Sequence, residues 1–317
     1  MRVRAYAPAS IGNFAAGFDL MGAAVAPLDG SLWGDVVEAE IAAAPSLTVS
    51  GPHAAGLPLD PWQNLVLRTF VLFRDALAEK RIDGPPIAFH LQKNLPPRSG
   101  LGSSACSVAA TLTACQSLVG EPFSRTELYA LAGRAEALVS GAPHLDNVVS
   151  CLAGGLQLLV PGAGGSPEAR PLPWPDDLVL VMVSPAFELA TEESRKVLPT
   201  SFALAEALDF AQNLAGFVHA LATGDRGLLR RCLRDVLAEP RRAPLVPGFR
   251  AAQAGALAAG ALGCTLSGSG PALFAVVESP VQGRAVGEAM QAGLRAAGLA
   301  SEVRLCGLDR QGARVLP

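Results

Sequence analysis

The sequence predicts an α+β protein of two domains, and three observations carry that expectation. Its 317 residues are long for a single compact core. Stretches with strand character stand among stretches with helical spacing in both halves, rather than in the strict alternation of a parallel sheet. A run of linker composition, Pro161-Gly-Ala-Gly-Gly-Ser-Pro onward to Pro175, divides the chain into domains at 1–165 and 166–317. Half of the residues are hydrophobic and only 17% are charged, which is ample material for buried cores.

In chain order, residues 2–7 and 36–49 alternate apolar and polar positions like strands of an antiparallel sheet. Between them Pro8 to Gly34 is punctuated by Gly and Pro and reads as an ordered binding loop with short strands. Asn64 to Ala78 carries Leu65, Phe70, Leu72, Phe73 and Leu77 at helical spacing, and Ile87–Leu91 is a short strand. The loop Lys93–Gly102 leads into an uncharged helix from Ser103 to Leu118, and Ser124 caps a helix over Arg125–Leu138. Gly154–Val160 and Leu178–Val183 are apolar strands. Helices follow at 201–222, 226–237 and 249–261, then a strand at Ala272–Val277, a helix at 281–297 and a last strand at Glu302–Leu305. Strands flanking pairs of helices suggest an α+β sandwich for the second half.

Composition removes several classes of function. The formal net charge of -3 offers no general attraction to nucleic acid or anionic membranes. Lys80, Lys93 and Lys196 are the only lysines and none follows a glycine before Ser or Thr, so no Walker loop is present. The six cysteines are scattered without a CxxC pair, which argues for small buried thiols in a reducing compartment rather than a zinc site. The N-terminus lacks the apolar core of a signal peptide. Two long uncharged stretches, Ser99–Gly120 and Ala251–Val277, are dominated by Ala, Gly, Ser and Thr and read as buried helices with glycine turns, not spans. A cytoplasmic location is expected.

The segment Leu95-Pro-Pro-Arg-Ser-Gly-Leu-Gly-Ser-Ser-Ala-Cys106 is built to hold phosphate. Gly100 and Gly102 accept positive φ and have no Cβ, so backbone amides can turn toward an anion. The helix opening at Ser103 adds unpaired amides and a positive dipole end, while Ser103 and Ser104 offer hydroxyls to phosphate or to magnesium. A plain tight turn with a serine cap has similar ingredients. A dinucleotide fingerprint is the other formal match, but it needs an acidic residue about twenty positions on at a strand end, where Pro122 and Phe123 stand instead.

This string resembles the ATP motif of the GHMP kinases. Ala7-Pro-Ala-Ser-Ile-Gly-Asn-Phe-Ala-Ala-Gly-Phe-Asp19 and Leu266-Ser-Gly-Ser-Gly-Pro-Ala-Leu-Phe274 are similar to that superfamily's other two motifs, in the same order. The resemblance implies an N-terminal domain like ribosomal protein S5 domain 2 and a ferredoxin-like C-terminal sandwich. It implies ATP and Mg2+, with Pro96, Pro97, Arg98, Ser99, Gly100, Leu101, Gly102, Ser103, Ser104, Ala105 and Cys106 around the nucleotide. Asn64 would touch its adenine or ribose, and Ser104 and Glu136 would share the metal, oxygen donors suited to a hard cation.

Further segments resemble the homoserine kinases of this superfamily. Asn13 and Asp19 would face the substrate, an aspartate being the partner an ammonium needs. The string Glu136-Ala-Leu-Val-Ser-Gly-Ala-Pro-His144-Leu-Asp146-Asn147 would supply His144, Asp146 and Asn147 to the substrate. Either Asp146 serves as general base, or Asn147 orients the hydroxyl and positioning does the rest; the second is favoured because a loose phosphoryl transition state needs little base. Thr191, Arg195 and Arg242 stand in two more matching segments, and a pair of guanidiniums can fork an α-carboxylate; Arg241 takes the second place if that loop is shifted by one. Gly268 would bring backbone close to substrate. Glu136, Asp146, Asn147 and Arg195 are thus the catalytic candidates, and phosphorylation of L-homoserine for threonine synthesis is the expected activity. A mevalonate or sugar kinase and a non-catalytic ligand-binding relative are the alternatives. Homodimerisation is left open.

Overall fold

The computed structural model describes residues 1–141, 143–162 and 167–317. Part of the linker segment, 163–166, and Ala142 of the Glu136–Asn147 string lie outside the described residues. The described residues form a mixed α+β fold whose strands join one sheet, with ten α-helices.

Strand β1 (Arg2–Gly12) organises the first half by serving two partners in succession. Its residues Arg2 to Pro8 pair with β3 (Gly34–Ile41), and Ala9 to Gly12 pair with β2 (Met21–Pro27), both antiparallel. This corrects the reading of Pro8–Gly34 as mainly loop. From Tyr6 onward both faces of β1 are buried, so the period-two signal that marked residues 2–7 vanishes although the strand continues. The predicted strand at 36–49 is two: β3 ends at Ile41, and β4 (Ser46–Ser50) starts after Pro45 and lies parallel to β5 (Ile87–Gln92).

Helix α1 (Leu65–Glu79) is capped by the Asn64 side chain. Helix α2 (Ser103–Leu118) is buried on nearly every side, consistent with its lack of charge. Ser124 caps α3 (Arg125–Ser140) in a reciprocal capping box with Glu127. Helix α4 (Leu145–Ala153) was not anticipated, because nine residues give little periodicity to read. Strand β6 (Leu156–Pro161) pairs with β7 (Pro167–Leu172), so part of the segment with linker composition is strand.

In the second half β8 (Val179–Pro185) is followed by α5 (Thr191–Lys196), α6 (Leu204–Thr223) and α7 (Arg226–Cys232). The predicted helix 226–237 stops early because the Asp235 carboxylate accepts the amides of Leu237, Ala238 and Glu239, opening the short α8 (Glu239–Arg242). Helix α9 (Phe249–Ala258) ends before Gly260, which has φ +97°, and the unpredicted β9 (Gly263–Leu266) follows. Strand β10 (Leu273–Val277), helix α10 (Pro280–Ala296), β11 (Ser301–Leu308) and β12 (Arg314–Val315) complete the chain. The strand order is β4-β5-β3-β1-β2-β11-β8-β10-β9, with β12 on β1 and β6 on β2.

One core cluster lies between α9, α10 and the sheet of β8–β11. The other joins β1, α1, α2 and α4 to Trp174, Phe217 and Phe274. Phe14 is its hinge point: fully buried, it stands 5.3 Å from the Trp174 ring, 6.2 Å from Phe217 and 4.9 Å from Phe274. Burying such a ring contributes about 2–3 kcal/mol and fixes the loop between β1 and β2 against both halves of the chain. Among the described residues no helix is long and apolar enough to cross a membrane.

Candidate active site

Seven segments converge on one cleft. The β1–β2 loop contributes Asn13 and Asp19, and the start of α2 contributes Arg98, Ser99, Gly100 and Gly102 to Ala105. Glu136 comes from the last turns of α3, and His144, Asp146 and Asn147 from the first turn of α4 and its cap. Thr191 and Arg195 lie on α5, Arg242 on α8, and Gly268 and Ser269 on the β9–β10 loop. Apart from Ser269, every one of these residues is a candidate read from the sequence.

The glycine loop is held by a buried polar anchor. Lys93 donates from Nζ to Asp35, to the Ser103 carbonyl at 2.9 Å and to Ser107 Oγ at 3.0 Å. Asp35 also accepts the amides of Asn94 and Leu95, so this ion pair is fully hydrogen-bonded despite its burial. Ser103 uses its hydroxyl to bond the Leu95 carbonyl at 3.1 Å, drawing the loop ends together. Gly100 and Gly102 have φ of +80° and +65°. A Cβ on Gly100 would lie 2.7 Å from the Ser267 carbonyl, and one on Gly102 would lie 2.0 Å from Ser10 Oγ. Both glycines are therefore required by close packing as well as by φ. Ser267 Oγ donates to the Gly100 carbonyl at 2.6 Å, and the Gly268 amide donates to Gly12 O at 2.9 Å, so the β9–β10 loop joins the cradle to the β1–β2 loop.

Six of the sequence candidates do not line this cavity. The Asn64 side chain accepts the Val66 amide as the cap of α1 and does not line the cavity. Cys106 points into the core, donating to Ala7 O and accepting from the Asp35 amide. Arg241 pairs with Glu206 and stacks on Phe202, so the cavity arginine of this loop is Arg242. Pro96, Pro97 and Leu101 face a second cleft behind the glycine loop, where Trp33, His53 and Phe187 complete the wall. No local motif marks Trp33, His53 or Phe187, which come from distant segments.

At the other end of the cavity, Asn13 serves the loop itself. Its Nδ2 donates to Gly268 O at 3.1 Å, its Oδ1 accepts the Asp19 amide at 2.8 Å, and its own amide donates to Asp146 Oδ2 at 2.8 Å. The Asp19 carboxylate is forked by Arg195, at 2.7 Å from Nη2 and 3.2 Å from Nη1. Arg195 Nη2 also donates to His144 Nδ1 at 2.9 Å, which fixes that imidazole as the neutral Nε2–H tautomer. Burial and the neighbouring Arg195 lower the His144 pKa, in keeping with the neutral form.

Arg242 is 1% exposed and lies over the Phe18 ring at 5.3 Å. It donates only to carbonyls, Gly268 O at 3.1 Å and Ser194 O at 3.3 Å. Among the described residues no carboxylate lies within ion-pair distance of it. Burial, and then Arg195, lower its pKa, against the opposing pull of Asp235, Asp19 and Asp146.

Deeper in, two carboxyls are raised. Asp146 is pushed up to about 6 by burial and then by Asp19, against the opposing amides of Asn13 and Asn147. Glu136 is pushed up to about 7 by burial and then by Asp146. Ser104, Glu136 and Asp146 line the same cavity, and their oxygens are donors of the kind that suit a hard dication. Among the described residues no cluster of three or more His, Cys, Asp or Glu exists, so protein groups alone do not form a complete metal cage.

Fold and site together define a kinase of a small molecule. Residues 64–155 match the family model "GHMP kinases N terminal domain", and residues 217–296 match "GHMP kinases C terminal". A crystal structure of homoserine kinase from Cytophaga hutchinsonii is 33% identical with a TM-score of 0.90, covering 99% of this chain and 97% of that one. An L. major mevalonate kinase in complex with R-mevalonate is 17% identical with a TM-score of 0.69, covering 98% and 97%. A phosphomevalonate kinase from Streptococcus pneumoniae is 13% identical with a TM-score of 0.64, covering 96% and 99%; these last two speak for the fold alone. The chain belongs to the GHMP kinases.

Proposed function

We propose that this kinase transfers the γ-phosphoryl group of ATP to the side-chain hydroxyl of L-homoserine, giving O-phospho-L-homoserine for threonine synthesis. The observation that carries the reading is the buried Arg242 without a carboxylate partner, beside an Arg195 already shared with Asp19. A zwitterionic α-amino acid satisfies this arrangement: its carboxylate takes Arg242 and a share of Arg195, and its ammonium takes Asp19. Mevalonate carries no ammonium for Asp19, and a neutral sugar carries neither charge. The relative from Cytophaga hutchinsonii supports the same substrate.

Triphosphate charge is met at the cradle by amides of the Gly100–Gly102 turn and by the first turn of α2. Ser104 and Glu136 would hold magnesium, which when bound neutralises phosphate charge. Base and ribose occupy the cleft of Trp33, His53 and Phe187 beyond Pro96 and Pro97. Asn147 orients the acceptor hydroxyl, with Asp146 beside it; the oxygen–phosphorus bond forms as the bond to ADP breaks, and the hydroxyl proton passes to an oxygen of the transferred phosphoryl group. The chain divides functionally at 1–165 and 166–317, with one family segment in each part. The test is ATP-dependent phosphorylation across a panel of hydroxylated amino acids. Homoserine is expected to dominate, and turnover led by serine, threonine or a non-amino-acid alcohol would refute the assignment.

A further inference from the structure

The amide of Asn147 has two chemically opposite ends, and the structure fixes which one is free. Ser10 is fully buried in β1, and its Oγ donates to Asn147 Oδ1 at 2.8 Å. That bond takes the carbonyl end of the amide. Among the described residues no hydrogen bond is made by Asn147 Nδ2. A second contact points the same way. A Cβ built on Gly12 would meet Asn147 Nδ2 at 2.2 Å and Asp146 Oδ2 at 2.6 Å, so the NH2 end sits on the side of the Asp146 carboxylate. Turning the amide over would set Oδ1 on the side of the Asp146 carboxylate, acceptor toward acceptor, and make Ser10 Oγ accept a bond rather than donate one. The cradle leaves room for the pair because residue 102 is glycine: a Cβ there would lie 2.0 Å from Ser10 Oγ and 3.0 Å from Asn147 Oδ1.

We propose that Ser10 is a positioning residue that locks the Asn147 amide with its N–H donors toward the reacting groups, so that Asn147 donates in the transfer and accepts no proton. A donor beside the phosphate cradle suits the negative charge that gathers there, whereas a carbonyl oxygen would oppose it. Ser10 touches neither substrate in this scheme; it acts through Asn147. The inference rests on the kinase reading above but not on homoserine being the acceptor.

The test is a double-mutant cycle of Ser10→Ala and Asn147→Asp, with kcat and both KM values measured by ADP release. Ser10→Ala frees the amide to turn, and kcat is expected to fall about tenfold with KM values within about threefold, the effect of one lost hydrogen bond. Asn147→Asp replaces the donor by a charged acceptor against the phosphates, and kcat is expected to fall about 100-fold or more. A carboxylate has no wrong way round, so adding Ser10→Ala to Asn147→Asp is expected to cost almost nothing more. Ser10→Cys, with a weak donor of similar size, is expected to lie between wild type and Ser10→Ala, and it carries the test if the alanine variant does not fold. Asn147→Asp with kcat close to wild type would overturn the proposal, because it would show the oxygen end in use. Strict additivity, or an effect confined to KM, would overturn it as well by reducing Ser10 to a packing role. If wild type releases no ADP with homoserine, the substrate assignment fails, and the same cycle is read with whichever acceptor the enzyme does use.

Discussion

Replacing Asp146 by Asn is expected to make the protein more stable and less active, with the stability gain depending on pH. Asp146 is 3% exposed, and its carboxyl is raised from the ordinary 3.8 to about 6, by burial first and then by Asp19. The folded chain therefore keeps a proton that the unfolded chain releases between those values, so stability falls as the pH rises through that window and stays low above it. The charged form costs about 3 kcal/mol at pH 8 and about half of that at pH 5. Asparagine has the same shape, and its carbonyl can still accept the Asn13 amide now bonded at 2.8 Å. Thermal melts of wild type and Asp146→Asn without nucleotide are thus expected to differ by about 6 °C at pH 8 and about 3 °C at pH 5, the variant being higher at both. Its kcat is expected to drop by about tenfold or more, since a charge next to the acceptor is lost. A variant that melts lower than wild type at pH 8, or by the same margin at both pH values, would refute the argument that this carboxylate is held ionised at a cost.

The other predictions concern the cradle, the metal and the clamp. Gly102→Ala meets Ser10 Oγ at 2.0 Å in a backbone with φ +65°, and it should destabilise the fold by about 1–3 kcal/mol and lower kcat; a variant with normal melting and turnover would contradict the packing. Glu136→Gln should raise the Mg2+ concentration needed for half-maximal turnover and cut kcat by about 100-fold, whereas an unchanged magnesium titration would remove Glu136 as a ligand. Arg195→Lys keeps the charge but loses the fork on Asp19, so homoserine KM should rise about tenfold with ATP KM unchanged, as paired initial-rate titrations would show.

The site was more legible in the sequence than the elements that carry it. Gly100, Gly102, Glu136, Asp146, Asn147, Arg195 and Arg242 all stand in strings whose chemistry is local, and they meet in one cavity. What stayed hidden was set by tertiary contact. The continuation of β1 past Tyr6 is buried on both faces and shows no alternation. The brevity of α4 and α8 leaves no helical period to detect. Asn64 and Cys106 look like site residues by their place in motifs, yet their side chains serve a helix cap and the core. The anchoring of the cradle by Lys93 and Asp35 joins residues 58 apart in sequence, a separation that no local pattern reports.

The most direct measurement is identification of the phosphorylated product when purified enzyme, ATP and Mg2+ are supplied with L-homoserine, mevalonate and galactose in parallel, followed by phosphorus NMR together with ADP release. The account predicts a phosphomonoester on the homoserine side chain, at a rate well above either competitor, and loss of that product in Arg242→Ala while the chain still binds nucleotide. Phosphorylated mevalonate or galactose with homoserine left untouched would contradict it.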